Sequence, residues 1–336
     1  MNVNFSHLFS ISDARGVFEH CKEDQPRIEH GYCVDDVSRA LIIAERESMQ
    51  TPRLIELINV CTDFLTDAQA TDGCVVNRCD VTGQWFGPAD TRDHWGRAMW
   101  AWGTVVGRSS DADRVAAAYE RFSLSAGQSS PFLRSNLFAA LGAIEVLSLL
   151  PNNRTALNVL ENAVDAIPNG AGLEWPWPEA RLTYANAAIP EVLIRAGAIF
   201  GDRMMMRRGN ELLRWLIAVQ TRQNMLSVIP AGGWSASEHL RSFDQQPIEV
   251  AALVDACSAA YEHSQDEYWR SIIFRAVMWF EGLNASGVLM YDPKTGAGFD
   301  GLIEGGRNPN RGAESTLAYL SVMQASDRFV DIAQWS

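Results

Sequence analysis

Lysine is almost missing from this 336-residue chain. Lys22 and Lys294 are the only two, so nearly all the 28 basic residues are arginine. No GK[ST] phosphate loop can be written, which excludes P-loop NTPases. No GxGxxG follows a strand-like run, which argues against a classical dinucleotide fold. Schiff-base chemistry would have to use one of two lysines, neither in an apolar setting. Cysteine is scarce and scattered: Cys21, Cys33, Cys61, Cys74, Cys79 and Cys257 form no CxxC pair and have no histidine at zinc spacing. The expectation is therefore no metal and no cofactor. The sequence starts without a basic segment leading into an apolar run. Nowhere do 18 apolar residues occur in succession, so the expected protein is soluble, cytoplasmic and reduced, with no membrane partner.

Positive charge is also in deficit. The 41 acidic residues outnumber the basic ones and give a net charge of −13. A field of that sign repels phosphate backbones, so nucleic acid is not the expected partner. Hydrophobic residues make up 47% of the chain, enough for a large core.

What the sequence does have is a repeat. Six apolar segments rich in Ala and Gly begin at Asp36, Asp93, Arg134, Tyr184, Gln246 and Arg311, at intervals of 41 to 65 residues. Small residues allow close helix approach, and segments apolar nearly all round belong in an interior. Between them lie amphipathic stretches at 52–68, 111–122, 154–167, 203–220 and 266–283, whose charges at helical spacing suit an outer layer with one wet face. Links from inner to outer helices are short. Links from outer to inner are mostly long, at 69–92, 168–183, 221–243 and 284–310, and loops of that length usually carry function. Two of them read as β-hairpins, 73–86 around Asp80–Gly83 and 287–299 around Asp292–Gly296. The pattern predicts one all-α domain over residues 1–336. Its expected fold class is an (α/α)6 toroid, a six-hairpin barrel with short β-hairpins in the long loops on the cleft face.

The long loops and inner-helix starts collect the polar residues. Carboxylates come from Asp35, Asp36, Asp93, Glu179, Asp244, Asp300 and Glu314. Cations and amides come from Arg39, Arg97, Arg311, Asn186, Gln245 and Asn310, with His94 beside them. Aromatic surfaces come from Tyr32, Trp175, Trp177, Tyr184 and Trp234. Indole stacks on apolar sugar faces, and Asp, Asn, Gln and Arg bind hydroxyls in pairs, so the expected ligand is an oligosaccharide or other glycan. Glycoside hydrolysis needs two carboxyl groups flanking the bond, about 5–5.5 Å apart for retention and about 6.5–9.5 Å for inversion. The catalytic candidates are Asp36, Asp93, Glu179, Asp244 and Glu314. The structural alternatives are that Asp36 and Asp93 cap helices, or pair locally with Arg39 and Arg97. His30 and His94 read more simply as structural histidines. Oligomeric state is not legible.

These residues resemble a bacterial family of (α/α)6-toroid proteins associated with glycosyltransferases and glycosidase-like domains. Its GYCxDDxxRAL pattern is matched at 31–41 and its GRAxWA pattern at 96–101. FDQQPxE is matched at 243–249 and NxNxGAESTLAYL at 308–320. A W-x-E-P-x-L-T-Y-D-N-A element is matched in part at 177–187. Two departures stand there: Ala185 replaces the Asp of the pattern, and Pro178-Glu179-Ala180 shifts its Glu-Pro order. More broadly the chain resembles the six-hairpin glycosidase and acylglucosamine 2-epimerase group. That likeness implies hydrolysis, phosphorolysis or epimerisation of sugars, and fold alone does not choose among them. Epimerases of the group use paired histidines, whereas here carboxylates predominate. The expectation is a glycosidase, with a sugar epimerase or phosphorylase, or a non-catalytic glycan-binding toroid, as alternatives.

Overall fold

The structure is a computed structural model and describes residues 3–170, 172 and 174–329. A short helix α1 (Ser6–Ser10) precedes the longer ones. These are α2 (Val34–Arg46), α3 (Pro52–Ala68), α4 (Asp93–Arg108), α5 (Ala112–Ser125), α6 (Leu133–Leu149) and α7 (Arg154–Asp165). They continue with α8 (Ala188–Phe200), α9 (Arg203–Val219), α10 (Pro247–Ser264), α11 (Glu267–Phe280) and α12 (Ala313–Phe329). Helix accounts for 54% of the described residues. No helix among the described residues is long and apolar enough to cross a membrane.

The chain falls into two compact units. The N-terminal unit is Leu8–Cys21 and Gln25–Ala166. The C-terminal unit takes the residues up to His7, Lys22–Asp24 and the chain from Ile167 onward. Within each unit, buried and amphipathic helices alternate as the sequence predicts. In α4, 12 of 16 residues are buried, and in α5 only 3 of 14. The same contrast separates α10 from α9 in the C-terminal unit.

Caps divide the helices the same way. Every amphipathic helix carries its own side-chain cap: Thr51 on α3, Asp111 on α5, Asn153 on α7, Asp202 on α9 and Asp266 on α11. The residues before α2, α4, α6, α8 and α10 supply none. For α2 and the approach to α8, groups from elsewhere in the fold stand in: Asn77 accepts the Val34 amide, and Glu249 accepts the Ala185 and Asn186 amides.

Glycine sets the inner packing. A Cβ on Gly96 would lie 2.2 Å from the Ser135 carbonyl oxygen, and one on Gly103 2.1 Å from that of Gly142. The two contacts keep the same sequence offset one and then three turns into the helices. So α4 and α6 run parallel, with their N-termini at one end. In the C-terminal unit Asn186 meets Glu249, and Arg195 pairs with Glu262 at 3.1 Å. That nearly constant offset makes α8 and α10 parallel as well.

Three buried-helix starts differ from the sequence reading by two residues or more. The segment starting at Tyr184 becomes helical only at Ala188, because Ala185 takes a left-handed backbone, φ +44°. The segment from Arg311 becomes helical at Ala313, and α2 begins two residues before Asp36. Both expected hairpins form. The first runs Val75–Cys79 against Trp85–Asp90 and gains Tyr32–Cys33 as a third antiparallel strand. The second pairs Tyr291–Asp292 with Ala297–Gly298. Hairpins that the sequence reading did not name also form, among them Thr221–Leu226 and Leu302–Arg307.

Candidate functional site

In the N-terminal unit the carboxylates gather at the starts of the parallel buried helices. The alternative in which Asp36 and Asp93 cap α2 and α4 is not what forms. Cys33 and Arg92 hold the cap positions, and both aspartates lie inside the first turn. Asp36 is buried and receives Arg39 Nη1 at 2.6 Å and the Cys33 thiol at 3.2 Å. Its neighbour Asp35 pairs with the buried Arg97 at 3.3 Å. Arg97 in turn lies over the Phe138 ring, 4.0 Å from its centroid. Asp93 accepts the Ser135 hydroxyl at 3.0 Å, across the close α4–α6 contact.

The residues flanking this group are tied into the fold. His94 is buried with Nε2 at 2.9 Å from the Val75 carbonyl and 3.2 Å from Asp90. Tyr32 is buried, stacks on Phe18, and donates its hydroxyl to Asp13 at 2.6 Å. Burial, with that bond adding to it, pushes the Tyr32 pKa well up.

Glu19, which the sequence reading did not name, reaches the same place. Glu19, Cys33 and Asp36 each put one ligand atom within 4.8 Å of the others, the single group of potential metal donors among the described residues. The donor set is poor for a cation. Arg78 pairs with Glu19, and Arg39 with Asp36. Burial, with Asp36, Asp35 and Glu19 adding to it, pushes the Cys33 thiol well up, so it is no thiolate.

The C-terminal unit holds the aromatic part. Trp175, Trp177, Trp215 and Trp234 form one cluster, with ring centroids 5.3 to 5.8 Å apart. Trp177 is fully buried and donates to Glu179 Oε2 at 3.4 Å, and Trp175 donates to the Glu179 carbonyl at 2.7 Å. Trp175 and Trp234 are only half-buried, and Tyr184 is exposed. Asp244 is exposed and Glu314 half-buried in the first turn of α12.

Several predicted binding residues serve the scaffold visibly. Both amide hydrogens of the buried Gln245 are spent, on Ser227 and on the Ser242 carbonyl, and its oxygen accepts from Trp279. Asp300 accepts the Gly312 amide at 2.7 Å, ahead of α12. Asn310 accepts the Glu23 amide at 3.0 Å, and Arg311 pairs with Asp292 at 3.2 Å.

Asn186 is fully buried, and Glu249 explains it. The Glu249 carboxylate accepts from the Ala185 amide and from the Asn186 backbone and side-chain amides. Glu249 is the residue the reading missed, although it closes the FDQQPxE motif. The carboxylate stands where α8 lacks a cap of its own. The bond also holds Ala185 in its left-handed conformation, where Asp and Asn are favoured over Ala. An Asp at this point of the family pattern has a backbone reason as well as any chemical one.

No family model matches the sequence, and no curated protein does. Solved structures do. A sugar epimerase from a ruminal bacterium superposes with a TM-score of 0.75 at 12% identity, covering 98% of this chain and 97% of its own. The cellobiose 2-epimerase of Spirochaeta thermophila gives 0.72 at 12% identity, covering 98% and 95%. A cellulase of C. cellulolyticum in complex with cellobiose gives 0.65 at 10% identity, covering 94% and 88%. The chain shares the fold of these solved structures. Its class is the all-α (α/α)6 toroid with small antiparallel sheets in the loops, as the repeat predicts. At these identities the likeness establishes the fold and leaves the chemistry to the residues.

Proposed function

We propose that this protein is a carbohydrate-active enzyme that hydrolyses a glycosidic bond with carboxyl groups as acid and base. One observation carries the reading. Asp35, Asp36 and Asp93 stand in the first turns of neighbouring buried helices, held by Arg97, Arg39 and Ser135. Buried ion pairs add little to stability compared with apolar packing. A core selected for stability alone has no need of them at this end. Positioned carboxylates do explain them, and the half-buried tryptophans of the C-terminal unit fit a sugar ligand. The solved relatives named as a cellulase and as epimerases act on sugars, which supports the substrate class.

The acid and base are drawn from Asp36, Asp93, Glu179, Asp244 and Glu314. One carboxylic acid gives its proton to the departing glycosidic oxygen. One carboxylate takes a proton from the water that bonds to the anomeric carbon.

Epimerisation by paired imidazoles fits less well. Such a pair must stand on either side of a carbon. In the N-terminal unit His20 and His30 touch each other, Nδ1 to Nδ1 at 3.0 Å, and His94 is taken up by Val75 and Asp90.

The test is product identity. The protein is incubated with a panel of neutral and acidic oligosaccharides, without phosphate, and followed by NMR. Shortened chains with new reducing ends are expected. Epimers at unchanged chain length would overturn the hydrolase reading in favour of an epimerase. Binding by calorimetry without any turnover would overturn it in favour of a glycan-binding module.

A further inference from the structure

The C-terminal unit contains a cavity of about 450 Å³ whose charge runs against that of the chain. Lys294, Arg307 and Arg311 line it, and so do Glu23 and Asp292. Three cations meet two carboxylates there, in a protein of net charge −13. One of the two lysines in the whole sequence is among them.

The pairing is uneven. Arg311 takes Asp292 at 3.2 Å. Arg307 gives one hydrogen bond, to the Leu289 carbonyl, and forms no ion pair among the described residues. Lys294 forms none either. Yet the two guanidinium groups are held together: Arg307 lies 3.6 Å and Arg311 5.3 Å from the centroid of the same Phe299 ring. Burial and the charge of Arg311 lower the pKa of Arg307 from its ordinary value. Two guanidinium groups over one ring, with the Asp292 carboxylate paired to Arg311 alone, are short of one negative charge.

The walls are built. Tyr291 stacks on Tyr319 at 4.6 Å, which fixes an aromatic side to the cavity. The Glu23 amide is held by Asn310 and its carbonyl by the Arg311 amide, which fixes the Glu23 backbone in the cavity wall. A cavity of this volume admits a small ligand. Arginine forks match the two oxygens of a carboxylate or phosphate, and a lone carboxylate accepts hydroxyl donors.

We infer that this cavity binds an acidic sugar, with its carboxylate or phosphate on Arg307 and Lys294 and its hydroxyls toward Glu23. The sugar half of this inference rests on the carbohydrate reading above; the anion half stands on the cavity alone.

Calorimetry on the full chain tests it with four probes: glucuronate, glucose 6-phosphate, glucose and inorganic phosphate. At least one of the two acidic sugars is expected to bind tenfold or more tighter than glucose, and which one does identifies the anion. Arg307→Gln and Lys294→Gln are each expected to weaken that binding by tenfold or more, and circular dichroism checks that both variants fold. Equal binding of acidic and neutral sugars would overturn the inference, as would affinity unchanged in both variants. Inorganic phosphate binding as tightly as glucose 6-phosphate would overturn the sugar half and leave an anion site. Neutral oligosaccharide hydrolysis that survives in both variants would keep the glycosidase reading separate from either result.

Discussion

The Glu249 carboxylate accepts the side-chain amide of Asn186 at 2.9 Å, deep inside the C-terminal unit. Both residues are buried, and the Ala185 and Asn186 backbone amides share the same carboxylate. The first turn of α10 thereby fixes the segment that leads into α8.

Glu249→Gln should expose the value of that link. Its amide nitrogen would face hydrogen-bond donors instead of accepting from them, and the charge-assisted bonds would be lost. The expected loss is about 1.5–3 kcal/mol of stability, read from urea unfolding. A variant as stable as the parent would show that the buried charge contributes nothing there.

Close helix approach gives the second prediction. Gly103→Ala places a methyl group 2.1 Å from the Gly142 carbonyl oxygen, where only backbone movement can make room. Alanine is the better helix former by about 1 kcal/mol. The clash should outweigh that gain and cost about 1–3 kcal/mol net. A rise in Tm would show that α4 and α6 do not meet as closely as described.

The third prediction concerns acid. His7 is buried, with Nε2 at 2.8 Å from the Arg311 carbonyl, and burial lowers its pKa from the ordinary value of about 6.5. The unfolded chain therefore takes up the proton first. Stability linked to His7 is complete above about pH 6.5 and is lost as the pH falls below it toward the folded value. His7→Gln removes the titration. The stability difference between parent and variant should shrink as the pH falls from 7.5 to 5. A difference independent of pH would contradict this account.

Most of the fold was legible in the sequence because the repeat imprints two patterns at once. Buried helices such as α4 read as apolar all round, and capped ones such as α5 read as amphipathic after an Asp. The start of Pro52–Ala68 is matched to the residue, since Thr51 and Pro52 are local signals. The start of α8 was missed because a long-range bond from Glu249 sets the backbone of Ala185. The candidate site was legible as a list of residue types, not as partnerships. Asp35 with Arg97, and Glu19 with Arg78, join positions about 60 apart, which no periodicity reveals. Trp177 and Gln245 have the composition of a sugar site, but they are buried and already hydrogen-bonded within the protein.

The central claim is that carboxyl groups of this chain break a glycosidic bond. Amide replacement keeps shape and removes the ionisable proton, so Asp36→Asn, Asp93→Asn, Glu179→Gln, Asp244→Asn and Glu314→Gln form the direct test. The measurement is kcat for each folded variant on an oligosaccharide that the parent cleaves. The account predicts that at least two of the five, one acting as acid and one as base, fall by about 10²-fold or more. Parental turnover in all five would contradict it.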